Sequence, residues 1–584
     1  MIVPMRKITL LVQTKDVDST LKALGRAGVL HIEHQNAPQN DNVVALEEKL
    51  GHISRALEIL QESKEEAKVQ VKPKDIVSEI LRIIEEKTIS LENLKKINRN
   101  IHAWEDWGDF DPEIVDDLKD RGIWVRLCKI NKKELDGFPE SVITEVLFKK
   151  GAIFYCAVIS REEVELPFKV LSLPDIGLQE TRGLKIKEEE RLKALDERLW
   201  ELAVFKGALE AYSKKLESLV DFNRAMAGAG SHERISYLVG YCPLSSSGML
   251  QKLAEKEKWG IVIEEPMESD KVPTLIKNPR WVEIIKPVFS MIKTIPGYKE
   301  LDISFWFLLF FSVFFGMLVG DAGYGILFLL LNLIAHIRLG KSAKDKSIFF
   351  LTYVLSVSTI IWGLFTGTFF GQAYLQGKLP ALLPYLTDNS NVQDLCFLIG
   401  AIHLSIAHAW RFIRKVPSLK ALAEAGWIAM LWAAYFIAKA LILGEGFSQY
   451  GKWFLISGAS LIILFTEPRK NIFKAIGSGM GSFLLHAMNS FTDVVSYIRL
   501  FAVGAASVAV ADAFNNIAAT MGYGGFISGL MTALILLFGH TLNILLGAMA
   551  VLVHGMRLNL LEFSSHLDME WSGVEYAPFK AKGD

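Results

Sequence analysis

Residues 303–337 read ISFWFLLFFSVFFGMLVGDAGYGILFLLLNLIAHI, and Asp321 is the only Asp, Glu, Lys or Arg among them. As one helix this run would be about 52 Å long, against a hydrocarbon core of roughly 30 Å. A single upright span cannot use that length. The Gly320-Asp321-Ala322-Gly323 step in its middle therefore predicts a tight reversal and two spans. Further apolar runs follow at about 347–371, 392–412, 423–443, 452–466, 478–519 and 526–561, so the sequence predicts eight spans. The last two, about 42 and 36 residues, exceed the membrane thickness and are predicted to be tilted or bent.

Charge confirms that this half of the chain differs from the rest. The 584 residues carry 64 Lys+Arg and 65 Asp+Glu, a net charge of -1. Residues 1–300 hold 46 basic and 50 acidic residues, whereas residues 301–584 hold 18 and 15. So few charges cannot cover the surface of a soluble domain of that size. The division excludes a single soluble enzyme, a disordered chain and a basic nucleic-acid binder. It predicts a soluble half, 1–300, joined to a membrane half, 301–584.

Loop charges orient the membrane half. With the first half cytoplasmic, the expected inside loops carry Arg338, Lys341, Lys344 and Lys346; then Arg411, Arg414, Lys415 and Lys420; then Arg469, Lys470 and Lys474. The expected outside loops carry only Lys378 and Lys452. The bias alternates at every crossing, as the positive-inside rule requires. Eight spans then leave both termini cytoplasmic. The start, Met1 to Lys7, has no signal-peptide layout. Cys128, Cys156, Cys242 and Cys396 form neither a disulfide framework nor a zinc pattern.

In the soluble half, Leu46, Leu50, Ile53, Leu57 and Leu60 make a heptad seam, interrupted by Val71–Asp75 with Pro73. Similar stripes continue at about 76–104 and 184–226. The helices of 41–104 and 184–226 are expected to pack as a coiled-coil rod. Strand-like runs at Lys7–Val12, Val29–Glu33, Ile123–Ile130, Ala152–Ile159, Ile235–Cys242 and Gly260–Glu264 predict two small α/β lobes at the rod's ends. One lobe combines 1–40 with 227–300 near the membrane; the other is 105–180. The fold class is thus mostly α. No GxxxxGK[ST], GxGxxG, HExxH or GxSxG motif occurs in a fitting context, and the sequence predicts no nucleotide, metal or cofactor site. Asp109–Asp120 is acidic but reads most simply as a solvated loop and helix start.

Within the membrane half, Arg499 stands about 20 residues into the seventh run, in Ser496-Tyr497-Ile498-Arg499-Leu500. An intramembrane charge is a functional candidate by default. Its helical face reads Thr492, Ser496, Arg499, Ala502, Ala506, Ala509 and Ala513, small enough to admit another helix closely. Asp493 and Asp512 lie about 240° and 220° around the helix, so neither is an easy same-helix partner. The plain alternative is a structural Arg paired with an internal acid. In the last run His540, Asn543, Gly547, Ala550, His554 and Arg557 share a stripe on an otherwise apolar helix. Such a stripe marks a water-lined path or a packed interface. Each His alone reads as a satisfied core residue, and Arg557 also fits a side chain reaching the cytoplasmic surface. Glu424, His403, His408 and Lys439 are weaker signals, and Asp321 is expected to cap the reversal.

Four stretches carry a resemblance. They are Val272-Pro273-Thr274-Leu275-Ile276-Lys277-Asn278-Pro279-Arg280; Gly316 through Gly325; Ser496 through Leu500; and Gly539-His540-Thr541-Leu542-Asn543 through Arg557-Leu558, Glu562-Phe563 and Ala577-Pro578-Phe579. In these the chain resembles subunit I of the archaeal and bacterial V/A-type rotary ATPases, counterpart of the V-ATPase a subunit (the 116 kDa subunit family). The resemblance implies a non-catalytic stator subunit of the cell membrane. Its arm would dock peripheral stalks (E and G/H type), and its spans would form two ion half-channels against a ring of proteolipid subunits. The rotor-cap (C/d type) subunit and the catalytic A/B sector would complete the complex, with no nucleic acid involved. Arg499 matches the arginine that faces the ring's carboxylate, and Arg557 a second arginine. Ser507 and Gly547 stand where eukaryotic relatives have histidine and glutamate. Ser496, Ser507, His540, Asn543, His554 and Glu562 are the candidate channel-lining residues. Two rivals are a self-contained secondary transporter with a regulatory arm and a membrane-anchored scaffold. The choice between H⁺ and Na⁺ rests on the ring, which is another chain.

Overall fold

A computed structural model of the chain describes residues 1–60, 72–139, 141–343, 345–371, 380–466, 472–522 and 524–580. Lys344, Lys378, Arg469 and Lys470, used above to orient the loops, lie outside the described residues, as does the side chain of Lys474. Two compact units divide the chain. One comprises 1–9, 29–31 and 240–578, the other 10–28, 32–239 and 579–584.

In the second unit, Pro73–Trp104 packs along Leu178–Leu202, and Asp41–Ile59 along Lys206–Ala227. Pro73 sits in the first turn, where its missing N–H breaks no bond. The seam residues meet as expected from their spacing. Ile53, Ala56 and Leu60 are buried with Ile76, Val77, Ile80, Ile83, Leu202, Leu209 and Leu216. Solvent-facing pairs such as Arg198 with Glu79 (2.8 Å) and Arg224 with Glu47 (2.6 Å) flank the seam and add little stability.

The same unit holds a four-stranded sheet ordered Ile143–Lys150, Ile153–Ser160, Trp124–Asn131, Val170–Leu171, with its longer strands antiparallel. Its pleat sends Leu127 and Ala157 to a cluster with Trp104 and Leu178, and Cys128, Ile130, Cys156 and Val158 to the opposite face. Ile143–Lys150 has no counterpart among the sequence-predicted strands. It is an edge strand whose Glu145, Lys149 and Lys150 face solvent, so it lacks a buried pattern. Gly230–His232 also pairs antiparallel with the start of Ile235–Pro243, His232 opposite Ile235.

The larger unit is built from apolar helices. The reversal in 303–337 is present as Ser304–Val319 followed by Ala322–Leu339. Gly320 takes a left-handed φ of 71°, which glycine adopts at no steric cost. Asp321 caps the second helix, its Oδ1 accepting from the amides of Gly323 (2.7 Å) and Tyr324 (3.2 Å), while Oδ2 accepts from Gly371 N (2.7 Å). Then come Ser347–Thr366, Asn389–Lys415, Ala421–Ile442, Gln449–Phe465, Ile472–Ser496 with Ile498–Met521, and Phe526–Ala550.

Helices therefore occupy all eight expected positions. Among the described residues six helices are long and apolar enough to cross a membrane. Ser304–Val319 has 16 residues and Gln449–Phe465 has 17. At about 24–26 Å each they fall short of a full core. Ser304–Val319 is nevertheless central. Phe307, Phe311, Phe314 and Leu318 are buried with Leu404, Tyr497, Leu500, Val551 and Phe563. Phe305 and Leu309 of the same helix stay exposed, so its apolar surface is covered on most sides but not all. Its close neighbours rely on absent side chains: a Cβ on Gly363 would lie 2.1 Å from Ala322 N.

Candidate functional site

Arg499 follows an interruption in its helix. At Tyr497 the backbone tightens to three-residue bonds, Tyr497 N to Val494 O and Leu500 N to Tyr497 O. Two local side chains donate to carbonyls beside that break: Ser496 Oγ to Asp493 O (2.7 Å) and Arg499 Nε to Ser496 O (2.9 Å). The guanidinium is thereby steered, and its Nη2 donates to Glu562 Oε1 at 2.5 Å. Glu562 is buried, 4% exposed, and its Oε1 also meets Arg557 Nε at 3.3 Å. Glu562 Oε2 is buried with no hydrogen-bond partner among the described residues.

The geometry of the last run explains that contact. After Phe526–Ala550 the chain passes through π-helical turns at Val551–Gly555 and Leu558–Phe563. On an α-helix, residues five apart point about 140° away from each other. A π turn bonds i to i+5 and brings such residues onto one face. Arg557 and Glu562 are five apart and touch. Arg499 therefore does pair with an internal acid, but not with Asp493 or Asp512.

Behind this pair, Tyr497 is fully buried and its hydroxyl lies 2.8 Å from His403 Nδ1. The His403 ring stacks between Phe310 (centroids 3.8 Å apart) and Phe563 (4.3 Å). Tyr497 and Phe563 are chain neighbours of the Arg499 and Glu562 regions, so one imidazole braces both.

A second polar chain lies alongside. His566 Nε2 lies 3.1 Å from Asp493 Oδ2, and His566 Nδ1 lies 2.8 Å from His408 Nε2. His408 Nδ1 lies 2.7 Å from Glu424 Oε2, and Glu424 Oε1 takes Arg411 (3.0 Å) and Lys415 (2.5 Å). Arg411 also reaches Asp568 at 2.6 Å. Sequence spacing gives His408 no clear partner and shows Glu424 only as a charge at a span start, because the two sit on different helices.

Two clefts open along the Arg499 helix and the Ile472–Ser496 helix before it. One, of about 890 Å³, is lined by His486, Ser490, Asp493, Arg557, Glu562 and His566 among others. The other, of about 690 Å³, is lined by Gly320, Thr366, Leu500, Gly504, Val508 and Asp512 among others. The first draws on positions before Arg499 and the second on positions after it. Arg499 lines neither.

Ser507 Oγ donates to Asn543 Oδ1 (3.1 Å), and Asn543 Nδ2 donates to Ser507 O (2.9 Å) and Tyr324 Oη (3.0 Å). Tyr324 Oη is also 2.8 Å from His540 Nδ1. Asn543 is buried, so this part of the polar stripe is a packed, satisfied interface. Ser507, His540, Asn543, His554 and Ser496 line neither cleft, whereas Arg557 and Glu562 line the first. Lys439 pairs with Asp394 (3.2 Å) and Glu445 (3.3 Å). Ala502, Ala506, Ala509 and Ala513, on the Arg499 face, are exposed. Among the described residues no His, Cys, Asp and Glu cluster is arranged to hold a metal ion.

No family model matches the chain. It is 32% identical to V-type ATP synthase subunit I of Borreliella burgdorferi over 99% of both chains. It is 27% identical to A-type ATP synthase subunit I of Methanocaldococcus jannaschii, over 71% of this chain and 64% of that one. Among solved structures, the crystal structure of the cytoplasmic N-terminal domain of subunit I, homolog of subunit a, of V-ATPase aligns with 44% of this chain and 99% of that one. Its identity is 13% and its TM-score 0.24, too low to establish a shared fold.

Proposed function

The chain belongs to the V/A-type ATP synthase subunit I family, a multi-pass membrane subunit of a rotary ATPase, and on that premise we propose that it is the stator across which the ion passes. In this reading the two clefts are half-channels, one reached from each side, and Arg499 separates them. The observation that carries it is this placement: a deep guanidinium between two clefts, on a face of exposed alanines that this chain leaves uncovered.

The physics then follows from the charge. A carboxyl in lipid stays protonated or ion-bound, because its bare charge is costly there. Carried by a rotating proteolipid ring past the exposed alanines, it meets Arg499, which is always charged. Beside that cation it ionises and releases its ion into one cleft. It reloads from the other cleft after a nearly complete turn. Because the guanidinium never gives up its proton, ions cannot pass directly from cleft to cleft. Residues 1–300 are the cytoplasmic arm that docks peripheral stalks and resists torque, with both termini cytoplasmic and the catalytic sector in other chains.

The rival reading, a self-contained transporter, is tested by reconstitution. The purified chain alone in liposomes is expected to drive no ion-coupled uptake, whereas the complete complex pumps on adding ATP. Ion-coupled uptake by the isolated chain would overturn the stator assignment.

A further inference from the structure

Arg499 carries its own anion. Glu562 Oε1 holds both Arg499 Nη2 (2.5 Å) and Arg557 Nε (3.3 Å), and Oε2 is buried without a hydrogen-bond partner among the described residues. Two guanidiniums share one carboxylate oxygen, so the three contacting side chains sum to a charge of +1. The triad is open to one more anion. Arg499 is 21% exposed and Arg557 56%, while Glu562 is 4% exposed, so the cations and not the carboxylate face outward.

This arrangement answers a kinetic difficulty in the reading above, on which the inference rests. A lone guanidinium at low dielectric would bind an arriving carboxylate so strongly that release would limit turnover. A resident carboxylate lowers the net gain of arrival and the cost of departure alike. Handing Arg499 over does not strand Glu562 as a bare buried charge, because Arg557 stays within contact. The five-residue spacing on a π turn is what makes that second contact possible.

We propose that Glu562 is the exchangeable counter-ion of Arg499, occupying the guanidinium between arrivals, shifting onto Arg557 as a ring carboxylate binds, and returning to displace it. Glu562 is a positioning residue here, since it acts through Arg499.

The test uses the assembled complex in vesicles, comparing wild type with Glu562→Gln, Glu562→Asp and Arg499→Ala. Losing one charge-assisted contact is expected to slow ATP-driven pumping by Glu562→Gln about tenfold. Ions moved per ATP should be unchanged, with no passive leak. Carbodiimide, which modifies protonated carboxyls, should label the ring more slowly in Glu562→Gln, because the ring carboxylate stays ionised on Arg499 for longer. Glu562→Asp keeps the charge and should fall between. A purely structural role would not slow ring labelling. Wild-type pumping by Glu562→Gln, a passive leak through it, unchanged labelling, or failure of both Glu562 variants to join the complex overturns the proposal. Wild-type pumping by Arg499→Ala would instead overturn the stator reading itself.

Discussion

Replacing Glu424 by alanine isolates the energetic centre of the polar chain beside Arg499. Its carboxylate is 3% exposed and faces His408 (2.7 Å), Arg411 (3.0 Å) and Lys415 (2.5 Å). Removing one partner of a buried ion pair costs about 3–5 kcal/mol, because the remaining charge is left uncompensated. Here the three partners lose unequally. Arg411 keeps Asp568 and the His566 carbonyl (3.0 Å). Lys415 is 38% exposed and turns to water. His408, 5% exposed, keeps His566 but loses the acceptor or donor at Nδ1. The expected destabilisation is therefore at the lower end, about 3 kcal/mol. Glu424→Gln retains a hydrogen-bonding oxygen for His408 and should cost less. Lys415→Ala should cost under about 1 kcal/mol, since its half of the pair is solvated. The assay is unfolding of the purified chain in detergent, followed by tryptophan fluorescence, to which all 13 Trp contribute. Glu424→Ala melting like wild type, or Lys415→Ala costing as much as Glu424→Ala, would refute the reasoning.

Gly363→Ala places a Cβ 2.1 Å from Ala322 N and should cost about 3 kcal/mol or more, or prevent folding, whereas Gly446→Ala meets nothing within 4 Å and should change stability by less than about 0.5 kcal/mol. Detergent-extracted yield and melting temperature distinguish them. Burial pushes the thiols of Cys128 and Cys242 up to about 11, so the reactive thiolate is scarce at pH 7 and both should resist maleimide until the chain is denatured, as intact mass will show. Labelling of the native protein at pH 7 would contradict their burial. Gly524→Cys, in the short connection before Phe526–Ala550, should react with an impermeant thiol reagent from outside the cell; labelling from the cytoplasm alone would contradict the orientation.

How much of this was legible in the sequence depends on the period of each pattern. The 3.6-residue stripes at Leu46–Leu60 and the apolar runs after Ile303 mark helices directly, because burial on one face or in lipid leaves a regular trace. Asp321 as a cap is readable from the Gly320–Gly323 step. The edge strand Ile143–Lys150 leaves no such trace, because neither face is fully buried. Arg499 and Arg557 are conspicuous as charges among apolar residues. Their shared partner is not: Glu562 stands five residues from Arg557, a spacing that α-helical reading sends to another face and that only the π turn reconciles. His403, His408 and Glu424 are likewise invisible as a set, since Tyr497, His566 and one another supply their partners across helices. The polar stripe of the last helix was legible as a stripe, but its use by Asn543, as packing against Ser507 and Tyr324, required the neighbours.

In the proposed function Arg499 couples the ring carboxylate to ion movement. That coupling is tested most directly by ATP-driven ion pumping in vesicles containing the assembled complex with Arg499→Ala. Arg499→Ala should leave the complex assembled and abolish coupled pumping. Wild-type pumping in that variant would contradict it.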